Sequence, residues 1–144
     1  MINVKFYDHV EDELLKFAVI IAKHNGKWVF CKHRDRSTYE CPGGHREYGE
    51  DILVTAKREL YEETGAMEYS LKPICVYSVC RTNEEEDTMQ ESYGMLYFAE
   101  ITKFAELPGY EMEKVELFET FPTEWTYPDI QPKLFEQASS VYEL

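Results

Sequence analysis

Three glutamates, Glu59, Glu62 and Glu63, stand three and four residues apart, directly after Arg58. They close the stretch GGHREYGEDILVTAKRELYEETG, residues 43–65. On a helix this spacing crowds carboxylates together, and each like-charged i,i+4 pair costs a few tenths of a kcal/mol. The glutamates also lie toward the C-terminal end, where the helix dipole favours cations. Local helix physics therefore disfavours the arrangement, and two readings follow. One is a solvated acidic face. The other is a site for a hard cation such as Mg²⁺, which takes carboxylate and carbonyl oxygens and shares its coordination with water and substrate phosphates. Gly43-Gly44, free of Cβ atoms, can bring a backbone carbonyl close to such an ion. Arg58 can fix a carboxylate by a bidentate contact.

The elements that position these groups are legible in outline. Residues 50–64 read as a helix, with Gly65 in the C′ position that ends one. At about 100° per residue, Leu53, Ala56 and Leu60 share a sector that is expected to face the core, with the glutamates on the adjacent face. Upstream, residues 17–24 and 27–33 flank Asn25-Gly26, a strong hairpin signal. Pro42-Gly43-Gly44 is expected to break the chain. Residues 71–82 and 92–101 read as strands around an acidic loop, NEEEDTMQE, and 115–118 as a short strand. Pro128 and Asp129 resemble a helix start, followed by the apolar Ile130, Leu134 and Phe135. Interleaved strands and helices predict a layered α/β or α+β domain.

Composition narrows the function. A chain of 144 residues, 44% apolar and 15% aromatic, fits one domain with a real core. No apolar run approaches a membrane span, and the acidic N-terminus has no signal-peptide pattern. Cys31, Cys41, Cys75 and Cys80 lack CxxC spacing and read as reduced thiols of a cytoplasmic protein. A net charge of −13 argues against duplex nucleic-acid binding. Within that acidic chain, residues 31–46 carry Lys32, Arg34, Arg36 and Arg46 against Asp35 and Glu40. This strip is either a solvated loop or a landing site for anionic groups, with Arg34, Arg36 and Arg46 as phosphate contacts. Trp28, Phe30, Tyr39, Trp125 and Tyr127 are candidates to stack on a base, or else core residues.

The glycine-to-glutamate stretch resembles the signature box of the Nudix hydrolases. Gly44, Glu50, Arg58, Glu59, Leu60, Glu62, Glu63 and Gly65 match it at the family spacing, and Gly43, Glu47, Gly49 and Ala56 match its common extras. Ala66 departs from it, standing where a larger apolar residue is usual. Beyond the box (44–66), the hairpin region and the tail TYPDIQPKLFEQ are similar to the bacterial MutT/YtkD-type branch, whose members include 8-oxo-dGTP diphosphatases.

This resemblance implies an α/β Nudix fold over residues 1–144, a mixed sheet sandwiched between helices. It implies hydrolysis of a nucleoside diphosphate-linked substrate with Mg²⁺, or Mn²⁺ in its place. Glu59, Glu62, Glu63 and the Gly43 carbonyl would hold the metal, with Arg58 and Glu50 fixing the glutamates. The general base would be Glu59 or a later glutamate, with Glu111 and Glu113 as candidates and the acidic loop at 84–91 as another source. The expected substrate is a nucleoside triphosphate, oxidised ones included, cleaved to monophosphate and pyrophosphate. ADP-ribose, nucleotide sugars and 5′-triphosphorylated RNA are alternatives, as is a catalytically silent nucleotide sensor, which the intact glutamate set disfavours. The protein is expected to be a monomer or homodimer that meets its substrate as a small molecule.

Overall fold

A computed structural model describes residues 1–142. Its strands are β1 (Ile2–Tyr7), β2 (Leu15–His24), β3 (Lys27–His33), β4 (Tyr39–Glu40), β5 (Gly43–His45), β6 (Ala66–Asn83), β7 (Thr88–Phe104) and β8 (Met112–Phe118). Helices α1 (Ile52–Thr64) and α2 (Gln131–Val141) complete it. The strands form one mixed sheet in the order β1-β6-β7-β2-β3-β4, with β5 also pairing β2 and β8 also pairing β3. Among these strands only the β2–β7 pairing is parallel.

The period of two along each strand divides the core between the two faces of the sheet. Ala18, Ile20 and Ala22 of β2 pack with Ala56 and Leu60 of α1. Phe17, Val19 and Ile21 pack on the other side with Leu134, Phe135 and Ala138 of α2. The sheet is thus covered by a helix on each face, as expected of an α/β sandwich. The β2–β3 hairpin turns at Asn25 and Gly26, both with positive φ (50° and 79°), as a two-residue turn of this type requires. No described helix is long and apolar enough to cross a membrane. All four cysteines are free and buried.

Several sequence expectations are corrected. Helix α1 starts at Ile52, because Asp51 caps it by accepting from the Leu53 N–H at 3.0 Å. Leu53 is largely exposed, and the buried face runs through Thr55, Ala56, Leu60 and Glu63. Gly43–His45 does not break the chain but lies as a strand against Phe17–Val19. The strands β6 and β7 are far longer than expected, so residues 88–91 of the supposed acidic loop are strand and only a four-residue turn remains. The last helix begins at Gln131, after a turn through Pro128 and Asp129. Strand β1 was missed, although Ile2, Val4 and Phe6 alternate and pack against the α2-side core.

Candidate active site

Helix α1 carries Arg58 toward the preceding loop, where it gathers the carboxylates. Its Nε donates to Glu50 Oε2 at 2.7 Å and its Nη2 to Glu50 Oε1 at 3.0 Å, a bidentate pair. The Nη1 donates to Glu59 Oε1 at 2.8 Å and to Glu62 Oε2 at 3.3 Å. The Nη2 also donates to the His45 carbonyl at 3.0 Å, tying the helix to β5. Glu50 accepts further from the Thr55 hydroxyl at 2.7 Å and the Glu47 N–H at 3.1 Å. These donors, Arg58 foremost, hold the Glu50 carboxyl at a pKa of about 2.

Glu63 has a different environment. It is 7% exposed, and its only described hydrogen bond comes from the Gly43 N–H, at 2.8 Å. Burial pushes its pKa up to about 9, against the pull of that N–H, and the charges of Glu59, Glu40 and Glu111 push the same way. Burial also raises Glu59, opposed by Arg58. The glycines of β5 permit this crowding by lacking a Cβ rather than by unusual torsions. A Cβ on Gly43 would meet the Ala18 carbonyl at 2.5 Å, and one on Gly44 would overlap the Glu59 carboxylate.

This donor set fits a hard cation. Glu63 and Glu59 are desolvated carboxylates that repel each other, and Glu63 has no positive group bonded to it. Among the described residues no three ligating side chains already converge on one point. Arg58 holds Glu59 and Glu62, and Gly43 holds Glu63, so an ion shared among them would compete with these contacts.

The glutamate corner opens into a cleft of about 460 Å³. Its walls include Gly43, Gly44 and Glu63 at that corner, Phe17 and Tyr77 from the sheet, and Tyr127 and Gln131 from the C-terminal segment. A more open depression of about 550 Å³ lies beside Asp12, Arg46 and Tyr48, away from Glu59 and Glu63.

The predicted contacts separate on this map. Arg36 lines the cleft and pairs with Glu40 at 3.1 Å. Arg34 is exposed and does not line it. Arg46 is turned away and its donors are used: Nε to the Glu50 carbonyl at 2.6 Å, Nη1 to the Asp12 and Leu15 carbonyls, and Nη2 to the Asp12 carboxylate at 2.9 Å. These contacts brace the box loop against the start of β2, and Arg46 does not line the cleft. Glu111 lines the cleft with a largely exposed side chain, 3.9 Å from His33 Nε2, whereas Glu113 pairs with Lys32 at 3.2 Å and does not line it.

Of the stacking candidates only Tyr127 lines the cleft. Phe30 and Trp125 pack edge-on at 5.4 Å, Trp28 packs on Phe135 at 5.0 Å and Tyr39 on Phe118 at 5.0 Å, all within the aromatic core. Sequence reasoning missed Phe17, Tyr77, Arg81 and Gln131 as cleft walls. Phe17, Tyr77 and Arg81 stand on strands and Gln131 opens α2, but no local signal says which face of an element opens onto a cleft.

Known proteins agree with this geometry. Residues 14–136 match the family model of the NUDIX domain. The chain is 34% identical over 122 residues to the Bacillus subtilis (strain 168) protein named "Putative 8-oxo-dGTP diphosphatase YtkD", covering 84% of this chain and 73% of that one. The crystal structure of the Bacillus subtilis pyrophosphohydrolase BsRppH superposes with a TM-score of 0.78 at 28% identity, covering 96% of this chain and 90% of that one. A MutT NUDIX hydrolase from Burkholderia pseudomallei shares the fold at a TM-score of 0.56 and 15% identity, covering 88% and 96% of the two chains. With the box helix, its arginine hub and its cleft in place, the chain belongs to the Nudix hydrolases, enzymes that act on phosphoric anhydrides.

Proposed function

We propose that this protein hydrolyses a nucleoside triphosphate, oxidised purine triphosphates included, to the monophosphate and pyrophosphate in a Mg²⁺-dependent reaction. The observation that carries this reading is Glu63, buried, without a counter-charge and repelled by the nearby Glu59, at the wall of a nucleotide-sized cleft. The 34% identity to a protein named for 8-oxo-dGTP supports the substrate class.

Glu59, Glu62, Glu63 and the Gly43 carbonyl would hold the cation, with Mn²⁺ as a substitute. A cation held by these residues would supply neutralisation of phosphate charge and activation of a water. Arg58 positions Glu59 and Glu62, and Glu50 positions Arg58 through the bidentate pair. Glu111 reaches the cleft with no arginine bonded to it, which makes it a better-placed proton acceptor than Glu113. Arg36 offers a cation to the phosphates from the cleft wall. A second reading, action on the 5′ end of a triphosphorylated RNA, draws on the exposed Arg81, a further cation along the cleft.

The test is a hydrolysis panel with Mg²⁺ or with chelator. It holds 8-oxo-dGTP, ordinary nucleoside triphosphates, ADP-ribose, a nucleotide sugar and a 5′-triphosphorylated RNA, with products identified. Pyrophosphate released from a mononucleotide, only with the metal, supports the reading. Metal-dependent turnover confined to RNA or to ADP-ribose would replace the substrate, and nucleotide binding without turnover would favour a sensor.

A further inference from the structure

Strand β6 is 18 residues long, but its outer edge is only partly used. Strand β1 covers Val76–Arg81, and among the described residues no strand covers the stretch before it. Pro73 closes that stretch at one end: it has no N–H, and its carbonyl accepts from the Tyr142 hydroxyl at 3.1 Å. Met67, where the register with β7 slips, bounds it at the other. Between them, residues 68–72 read Glu-Tyr-Ser-Leu-Lys, and their outward backbone groups are a template for a further strand. Glu68, Ser70 and Lys72 are exposed, while Tyr69 and Leu71 pack toward the α1-side core. The adjoining surface is apolar as well: a groove of about 520 Å³ lies between α1 and β6, with Leu53 and Met67 exposed on its walls. None of these residues lines the candidate active-site cleft.

From this we infer that the protein forms a two-fold symmetric dimer in which residues 68–72 of two copies pair as antiparallel strands centred on Ser70. Symmetry and charge select both the occupant and the register. Facing residues of an antiparallel pair turn their backbone groups the same way, so across a two-fold axis an even-numbered residue of this stretch faces an even-numbered one. Centred on Ser70, Glu68 of each copy faces Lys72 of the other, and Tyr69 faces Leu71. Opposite charges and an aromatic beside an aliphatic are both favourable cross-strand neighbours. Centred on Tyr69, Glu68 would face Ser70 and Lys72 would face Ala66. Centred on Leu71, Lys72 would face Ser70 and Glu68 would face Ile74. Of these three registers only the one on Ser70 pairs the two charges. A net charge of −13 makes copies of the chain repel one another in general, whereas this edge is locally balanced. The two sheets join into one, and the exposed Leu53 and Met67 of both copies lie along the same face of it.

The experiment is sedimentation equilibrium on the full chain over a wide concentration range, with a charge swap. The wild-type protein is expected to dimerise. Glu68→Lys and Lys72→Glu each turn both symmetric pairs into like-charge pairs, and each should weaken the dimer about tenfold or more. The double variant Glu68→Lys/Lys72→Glu restores opposite charges across the axis and should recover wild-type affinity. Within one chain these residues sit four apart along a strand and do not touch, so a purely intramolecular effect gives no such rescue. Ser70→Cys supplies an independent readout that needs no charge variant to fold. All four native cysteines are buried, and Ser70 faces its own copy at a Cα separation a disulfide can span. Mild oxidation should therefore convert Ser70→Cys to a covalent dimer, while Thr88→Cys, exposed at the far end of the β6–β7 hairpin, stays monomeric. A wild-type protein that is monomeric throughout overturns the inference. So does a dimer indifferent to both single reversals, a double variant as weak as the singles, or a Ser70→Cys protein that cross-links no better than Thr88→Cys.

Discussion

Glu50 stands just before α1 and Glu63 in its last turn, and both are shielded from water, yet their environments push them in opposite directions. Glu50 has two Arg58 N–H groups, a hydroxyl and a backbone N–H, and is held at about 2. Glu63 has one backbone N–H and three nearby carboxylates, and is raised to about 9. The first carboxylate is neutralised by a fixed cation within the chain. The second lacks one on the side that faces the cleft. A buried charge without compensation is costly, and its placement at the mouth of the cleft is consistent with a counter-charge supplied from outside. The chain's own cation organises the site, and on the proposed reading a diffusible one would serve the cleft side.

Removing the organising cation should do the most damage. Arg58→Ala leaves the partly buried Glu50 and Glu59 without their counter-charge, and is expected to cost about 3 kcal/mol of stability by denaturant titration. Arg58→Lys should recover only part of this, because an ammonium cannot hold Glu50 in a bidentate fork. Glu63→Gln acts on the other side of the comparison and should separate function from stability. Turnover is expected to fall by about 100-fold or more, a few kcal/mol of lost transition-state stabilisation. Thermal stability of the metal-free protein should rise, since a neutral amide still accepts from Gly43.

The sign of that gain depends on pH. Because the Glu63 carboxyl is raised in the folded state from its ordinary 4.5 to about 9, stability present below pH 4.5 is lost as pH climbs toward 9. The Tm advantage of Glu63→Gln should therefore widen between pH 5 and 9. Glu50 behaves in reverse: its depressed pKa contributes stability above pH 4.5 that is lost as pH falls toward 2. Glu50→Gln should lower stability at pH 7, by about 2 kcal/mol for the charge-assisted bonds it weakens, and that deficit should shrink in acid. The smallest effects belong to the periphery. Arg36→Ala should raise KM severalfold with kcat nearly unchanged, whereas Arg34→Ala, on an exposed loop, should leave both unaltered.

The residues of this comparison differ in how legible they were. Arg58 and the three glutamates were readable because helix spacing fixes their relative positions, and Asn25-Gly26 announced its hairpin through a turn only certain residues tolerate. The burial of Glu63 was not readable, because it depends on α1 lying against β5 and on β5 pairing with β2. Nor could spacing show that Arg58 would take Glu50, eight residues away, as its bidentate partner, or that Arg46 would be used up by Asp12 and the backbone beside it. Leu53 sat in the right sector of a helical wheel but at the rim of the contact, where Ile52 packs instead. The cleft walls come from residues as far apart as Phe17 and Gln131, and only the sheet order brings them together.

The central claim is that a divalent cation supplies the charge Glu63 lacks. The most direct test is a Mg²⁺ titration of metal-free protein at pH 7.5, followed by calorimetry in two buffers of different ionisation enthalpy. Wild-type protein should bind Mg²⁺ and release a proton as it does so, and Glu63→Gln should bind more weakly with no proton released. Mg²⁺ binding that is equally tight in both proteins, or that proceeds without proton release in the wild type, would contradict the account.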